Sequence, residues 1–210
     1  MEVQLTTLPA ARTAEAAQLT AAAFADRPSA WRAISGVENT SEFRHQVLAW
    51  LFERNLWLRR DVGCNRVVEL DGQIVCSFMF VAPHTPDVSG CDMLRAGILK
   101  LPWLFGPSCL QRLLKAKDTD EGETAWEGAF KLERMVVAPN MQGKGIGTKA
   151  LKKALVEADA AARPVVLTTN EERNVKFYER VGFEVLRHAT RELGGDHYQV
   201  WTMVRHPKEL

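Results

Sequence analysis

The sequence predicts a mixed α/β fold. Three observations carry that expectation. Segments with period-two and with helical hydrophobic spacing alternate along the chain, Asp71-Gly72 sits between two β-rich runs, and a strand near Val136 runs through a glycine-rich turn straight into a helical pattern. At 210 residues, 46% hydrophobic and 25% charged, the chain suits one soluble domain spanning 1–210 around one sizeable core.

The elements follow in order. "VQLTTL" alternates weakly and gives a first strand, Val3 to Leu8. Pro9 then opens an alanine-rich helix with Ala17, Leu19, Ala22, Ala23 and Phe24 at helical spacing. Thr40 or Ser41 caps a second helix, whose Phe43, Val47, Leu48, Leu51 and Phe52 repeat at three and four. "CNRVVELDGQIVCSFMFVAP" reads as a hairpin, because Asp-Gly tolerates the positive φ of a tight turn. Residues 83–124 form a helical insertion, either packed on the core or acting as a substrate-facing lid. "AFKLERMVVAP" is a strand, Ile146 to Ala161 a helix with Ile146, Ala150, Leu151, Ala154, Leu155 and Ala158 inward, and "RPVVLTTN" a buried strand. A short helix over "RNVKFYERVGF" and a closing hairpin turning at Gly194-Gly195 complete the chain.

Charge and cysteines narrow the function classes. Lys and Arg number 27 against 26 Asp and Glu, with no basic stripe, so no nucleic-acid partner is expected. Cys64, Cys76, Cys91 and Cys109 lie far apart without CxxC or Cys/His spacing, which argues against a metal site and a disulfide framework. No basic region followed by an apolar one opens the chain, and no apolar run approaches the ~18 residues of a membrane span. A cytoplasmic protein without a membrane partner is expected.

The turn "NMQGKGIGTK" is the chemical feature. A helix N-terminus presents amides without intrahelical partners and a partial positive charge. Gly143, Gly145 and Gly147 lack Cβ atoms on alternating residues, so consecutive amides can curl around an anion such as a phosphate. Lys144 adds charge, Thr148 a hydroxyl, and Gln142 either braces the turn or donates to phosphate oxygen. Neither G-x-x-x-x-G-K-[ST] nor G-x-G-x-x-G fits the spacing, so the turn is not an NTPase or dinucleotide loop.

From Leu132 to Phe183 the sequence resembles the GNAT superfamily of acyl-CoA-dependent N-acyltransferases. Gln142, Gly145 and Gly147 match that family's Q/R-x-x-G-x-G/A loop after the strand "MVVAP", and "TTNEERNVKFYERVGFEVL" matches its second signature. Fainter similarity, in "AAAFADRPSAWR" and "FYERVGFEV…WTMVR", points towards members such as puromycin N-acetyltransferase. The resemblance implies a mixed, mostly antiparallel twisted sheet flanked by helices, with the helical insertion before the central strand. That strand and the next diverge to admit acetyl-CoA, and an acetyl group passes directly to a primary amine of a small molecule. A non-catalytic acyl-CoA sensor and an N-acyltransferase using a longer acyl chain are the alternatives. The protein would act as a monomer or homodimer.

The same resemblance assigns roles. Backbone groups of Met135, Val136 and Val137 face the pantetheine arm or the reacting carbonyl oxygen. Amides of Gln142, Gly143, Lys144, Gly145, Ile146, Gly147 and Thr148 hold the pyrophosphate. Asn174 hydrogen-bonds pantetheine or orients the short helix. Tyr178 is the candidate general acid for the departing thiolate; the alternative is a core aromatic. Glu133 is the candidate base or a solvated strand residue, expected to share a face with Lys131 and Met135, and Glu127 is a second candidate. His84, His188 and His197 read as structural or exposed, and Trp103, Trp126 and Trp201 as core or pocket lining.

Overall fold

The computed structural model describes residues 2–27, 30–120, 126, 128–193 and 195–208. Helices alternate with strands as the spacing of apolar residues requires: β1 (Leu5–Thr7), α1 (Thr13–Phe24), α2 (Ala30–Ser35), α3 (Ser41–Leu58), β2 (Asn65–Leu70) and β3 (Gln73–Val81). The insertion holds α4 (Gly90–Arg95), α5 (Leu101–Phe105) and α6 (Pro107–Asp120). Then come β4 (Phe130–Val137), α7 (Ile146–Ala160), β5 (Val165–Thr169), α8 (Glu172–Glu179), β6 (Glu184–Leu193) and β7 (Asp196–Arg205).

Local chemistry sets several boundaries. Thr40 caps α3 by accepting the Phe43 amide, 3.2 Å. Asp71 and Gly72 turn the β2–β3 hairpin at φ 50° and 77°, the left-handed pair that a two-residue hairpin needs. Two expectations shift. β1 is shorter than Val3–Leu8: Leu5 to Thr7 form the ladder with β2, and the Leu8 amide adds a last bond to the Asn65 carbonyl at 2.9 Å. The short α2 has no counterpart in the sequence reading; its six residues are too few for periodicity to register.

The seven strands form one sheet in the order β1-β2-β3-β4-β5-β7-β6. Every neighbouring pair is antiparallel except β4 and β5. On one face α7 buries Ile146, Ala150, Leu151, Ala154, Leu155 and Ala158, the whole expected stripe, against Phe80, Phe130, Leu132 and Leu167. On the other face α1 and α3 cover Val67, Met79 and Val81 with Ala17, Ala21, Leu48 and Phe52. The insertion docks on α3: Leu101 and Cys109 are buried with Val47, and the Phe105 ring meets Phe43 edge-on at 6.1 Å. Among the described residues no helix is long and apolar enough to cross a membrane.

One topological detail positions the site. The parallel β4–β5 pair holds register only at Phe130–Val165 and Lys131–Val166. Beyond that, β5 continues beside β7, while residues 132–137 of β4 run on without a β5 partner. The sheet therefore opens between these strands, towards the turn at 138–147.

Candidate active site

The turn after β4 is built by glycines with two different duties. Gly143 and Gly145 both adopt φ 76°, a conformation that L side chains rarely take, and nothing lies within 4 Å of where their Cβ atoms would stand. The space before them is open. Gly147, by contrast, is helical: a Cβ there would meet Val137 Cγ2 at 3.2 Å and Met135 Cε at 3.4 Å. Its missing Cβ therefore lets α7 pack closely on β4, while Gly143 and Gly145 open the turn.

The first hydrogen bond entering α7 runs from the Lys149 amide to the Gly145 carbonyl, 3.0 Å, leaving the amides of Ile146, Gly147 and Thr148 without intrahelical acceptors. Gln142 resolves as a brace, with Nε2 donating to the Val137 carbonyl at 3.0 Å. Lys144 lies exposed on the turn, its Nζ 3.4 Å from Met141 Sδ.

A β-bulge lies immediately upstream on β4. Ser77 pairs with Val136 and Met79 with Glu133, so Phe78 alone faces both Arg134 and Met135. Arg134 takes φ 52°, unusual for a side chain of its size. The extra residue inverts the alternation. Met135 packs with Phe130 and Leu132 on the α7 face, while Lys131 and Glu133 look out on the opposite face. The expectation that Glu133 shares a face with Met135 is therefore corrected, because simple alternation fails across a bulge. Arg134 is itself a residue the sequence reading missed. Its Nη1 reaches Glu133 Oε2 at 3.0 Å and Asn55 Oδ1 at 2.9 Å, and its guanidinium carbon lies 5.4 Å from the Trp31 ring centroid.

Tyr178, on α8, is 8% exposed and packs between Phe177 and Phe183, ring centroids 5.0 and 5.7 Å away. Burial, with a lesser push from the Cys76 thiol, drives its phenol well above the ordinary tyrosine range. Asn174 falls within the first turn of α8, where Nδ2 donates to Thr169 Oγ1 at 3.1 Å and ties the helix to the end of β5. Thr169 is the partner that sequence reasoning missed. Glu127 lies outside the described residues.

Residues 114–185 match the family model described as the acetyltransferase (GNAT) domain, a span containing both the turn and the Tyr178 segment. Solved structures agree in fold. A histone acetyltransferase HPA2 and related acetyltransferase from Corynebacterium glutamicum superposes with TM-score 0.72 at 17% identity, covering 100% of this chain and 99% of that one. A polyamine N-acetyltransferase of Drosophila melanogaster, which catalyses formation of N-acetylagmatine, gives 0.57 at 12% identity over 98% and 100%. The yncA protein of Salmonella typhimurium, solved with its cofactor acetyl-CoA, gives 0.57 at 16% over 100% and 96%.

A cleft of about 340 Å³ opens on the sheet face opposite α7, lined by Arg59, His84, Asp87, Trp126, Lys131 and Glu133 among others. Of the three tryptophans considered above, Trp126 lines this cleft, Trp201 stacks on His188 at 4.4 Å, and Trp103 is 92% exposed on the insertion. His188 Nε2 lies 2.8 Å from Gln199 Oε1 on the β6–β7 hairpin, and His197 is exposed on β7. The entry to the insertion, through His84 and Asp87, edges the cleft, while α5 and α6 pack elsewhere.

Proposed function

We propose that this protein is an N-acetyltransferase of the GNAT type, transferring the acetyl group of acetyl-CoA directly to the primary amine of a small molecule. The observation that carries the reading is the open, left-handed Gly143–Gly145 turn at the mouth of the unpaired β4–β5 gap. The residues present fit the donor. Unpaired amides at 146–148, with those of Gln142 to Gly145 beside them, suit a pyrophosphate, and no side chain stands in front of the two glycines. The backbone of Met135, Val136 and Val137, without a β5 ladder partner, offers hydrogen bonds to the pantetheine arm and to the carbonyl oxygen where charge develops.

Acetyl-CoA supplies a thioester. The acceptor nitrogen forms the new N–C bond, the C–S bond breaks, and Tyr178 gives its phenolic proton to the departing sulfur. The proton lost by the amine goes to the Glu133 carboxylate, directly or through water, and the products are an acetamide and CoA. Asn174 holds α8, and with it Tyr178, against β5 through Thr169. The presence of Tyr178 favours turnover over mere acyl-CoA sensing, because a sensor has no need of an acid for a thiolate. The relative that forms N-acetylagmatine supports a small amine as acceptor class.

The test is calorimetric titration of wild type and Gly145→Glu with acetyl-CoA and CoA. Glutamate there opposes the φ of 76° and brings a negative charge to the cradle. Micromolar binding by wild type, lost in the variant, is expected; an unaffected variant would refute the cradle.

A further inference from the structure

We propose that the cleft on the outer face of β4 takes acceptors that carry an anionic group beside their amine, with Arg59 and Lys131 holding the anion; this rests on the acyl-transfer reading above. Arg12, Arg66, Arg134 and Arg205, like Arg59 largely covered, each meet a carboxylate. Arg59, at the C-terminal end of α3, does not: its Nε is buried without an acceptor, as are those of Arg66, Arg134 and Arg205, but unlike them it has no ion-pair partner among the described residues. Lys131 is half-buried on β4 and is likewise without an ion pair among the described residues. Covered cations without a counter-charge are costly, and both line the same cleft. An anionic ligand resolves that cost, and a guanidinium suits a carboxylate because its fork of donors matches the two oxygens.

The opposite sign is also present. Glu133 stands two residues from Lys131 on the same face, about 7 Å along the strand. Asp87 is exposed at the mouth. Carboxylates for an amine and cations for an anion, side by side, complement a zwitterion better than a polyamine. At about 340 Å³ the cleft falls at the small end of ligand pockets, a match for a molecule of amino-acid size, and Trp126 offers an apolar wall. Its rim is a constructed turn. His84 is held at φ 64°, and the Thr85 amide and hydroxyl both donate to the Ala82 carbonyl, at 3.3 and 2.8 Å. The acceptor class is therefore amino acids and related amines with a carboxylate near the nitrogen.

Matched pairs that differ only in the carboxylate test this: L-arginine against agmatine, and L-tryptophan against tryptamine. Two readouts are taken on the full chain, kcat/KM from CoA release with acetyl-CoA and direct calorimetric binding of each probe without it. In at least one pair the acid should be favoured by tenfold or more, chiefly through KM. In Arg59→Gln and Lys131→Gln, with folding verified by circular dichroism, that ratio should fall towards one. An amine preferred to its acid in both pairs, or a ratio that survives both substitutions, overturns the proposal. If acetyl-CoA is neither bound nor consumed, the acyl-transfer reading fails by itself and the binding arm still decides the cleft. Acid binding lost in the variants supports the proposal, and no binding of either acid to wild type overturns it.

Discussion

At Tyr178, burial sets the protonation state of a single side chain. Its ordinary pKa near 10 would already keep the phenol protonated at neutral pH. Enclosure by Phe177, Phe183 and the core raises it further, so the hydroxyl is a donor throughout the working range and never a base. Tyr178→Phe deletes the proton and little else, since the surroundings are apolar. We expect kcat to fall by about 10²–10⁴ while acetyl-CoA affinity changes less than threefold. Unaltered kcat in steady-state CoA release would return Tyr178 to the role of core aromatic. Because the folded pKa is raised, loss of this proton should contribute no basic limb to a pH–rate profile below pH 9.

At the scale of elements, α7 and its turn were legible in the sequence and the bulge was not. Glycine advertises positive φ, so Gly143 and Gly145 could be read directly, whereas Arg134 adopts the same region with no signal in its side chain. Counting by twos along β4 then put Glu133 on the wrong face relative to Met135. The cleft was equally hidden, because Arg59 and Lys131 meet only through tertiary packing across many intervening residues. So was the tie that fixes the far end of α7. Asp159 accepts two hydrogen bonds from Arg205 of β7, both 2.8 Å, and one from the Lys208 amide, also 2.8 Å. Arg205 is only 4% exposed, and its hydrogen bonds hold the Asp159 carboxyl below the usual range. Asp159→Ala strands a buried guanidinium and should cost about 3 kcal/mol in urea denaturation. A folded pKa below the unfolded value means this stabilisation is complete above pH about 4 and fades as pH falls through the folded value. The gap between wild type and variant should therefore narrow in acid; a gap under ~1 kcal/mol at pH 7 would deny the pair its anchoring role.

Across the whole molecule, the sheet is two ladders joined by a short seam. β1 to β4 form one antiparallel run and β5, β7 and β6 another, and between them only two register pairs link β4 to β5. What holds the halves together beyond that seam is the α7 and α8 core, in which Phe130, Leu132, Leu151, Val165, Leu167 and Tyr178 all share one cluster, and on the other face α2, whose Ala33 and Ile34 pack on Leu193, Tyr198 and Val200 of β6 and β7. This division makes a prediction about where a ligand is felt. Backbone groups of residues 132–137 on the open side, and amides at 142–148, exchange hydrogen by small local openings that a bound acyl-CoA must block. With acetyl-CoA at 100 times its dissociation constant, the linkage is worth about 2.7 kcal/mol, or roughly a hundredfold slowing of any opening that requires release. Hydrogen-exchange mass spectrometry should find that slowing on both segments together, although the Pro139–Met141 turn separates them in sequence. The Asp71-Gly72 hairpin tip, opening independently of the gap, should exchange at its ligand-free rate. Protection of 142–148 alone would confine the ligand to the cradle and leave the strand gap without a binding role. Slowing at the hairpin tip equal to that at the gap would mean the halves open as one unit, and would overturn the proposal that the acyl donor enters at the seam.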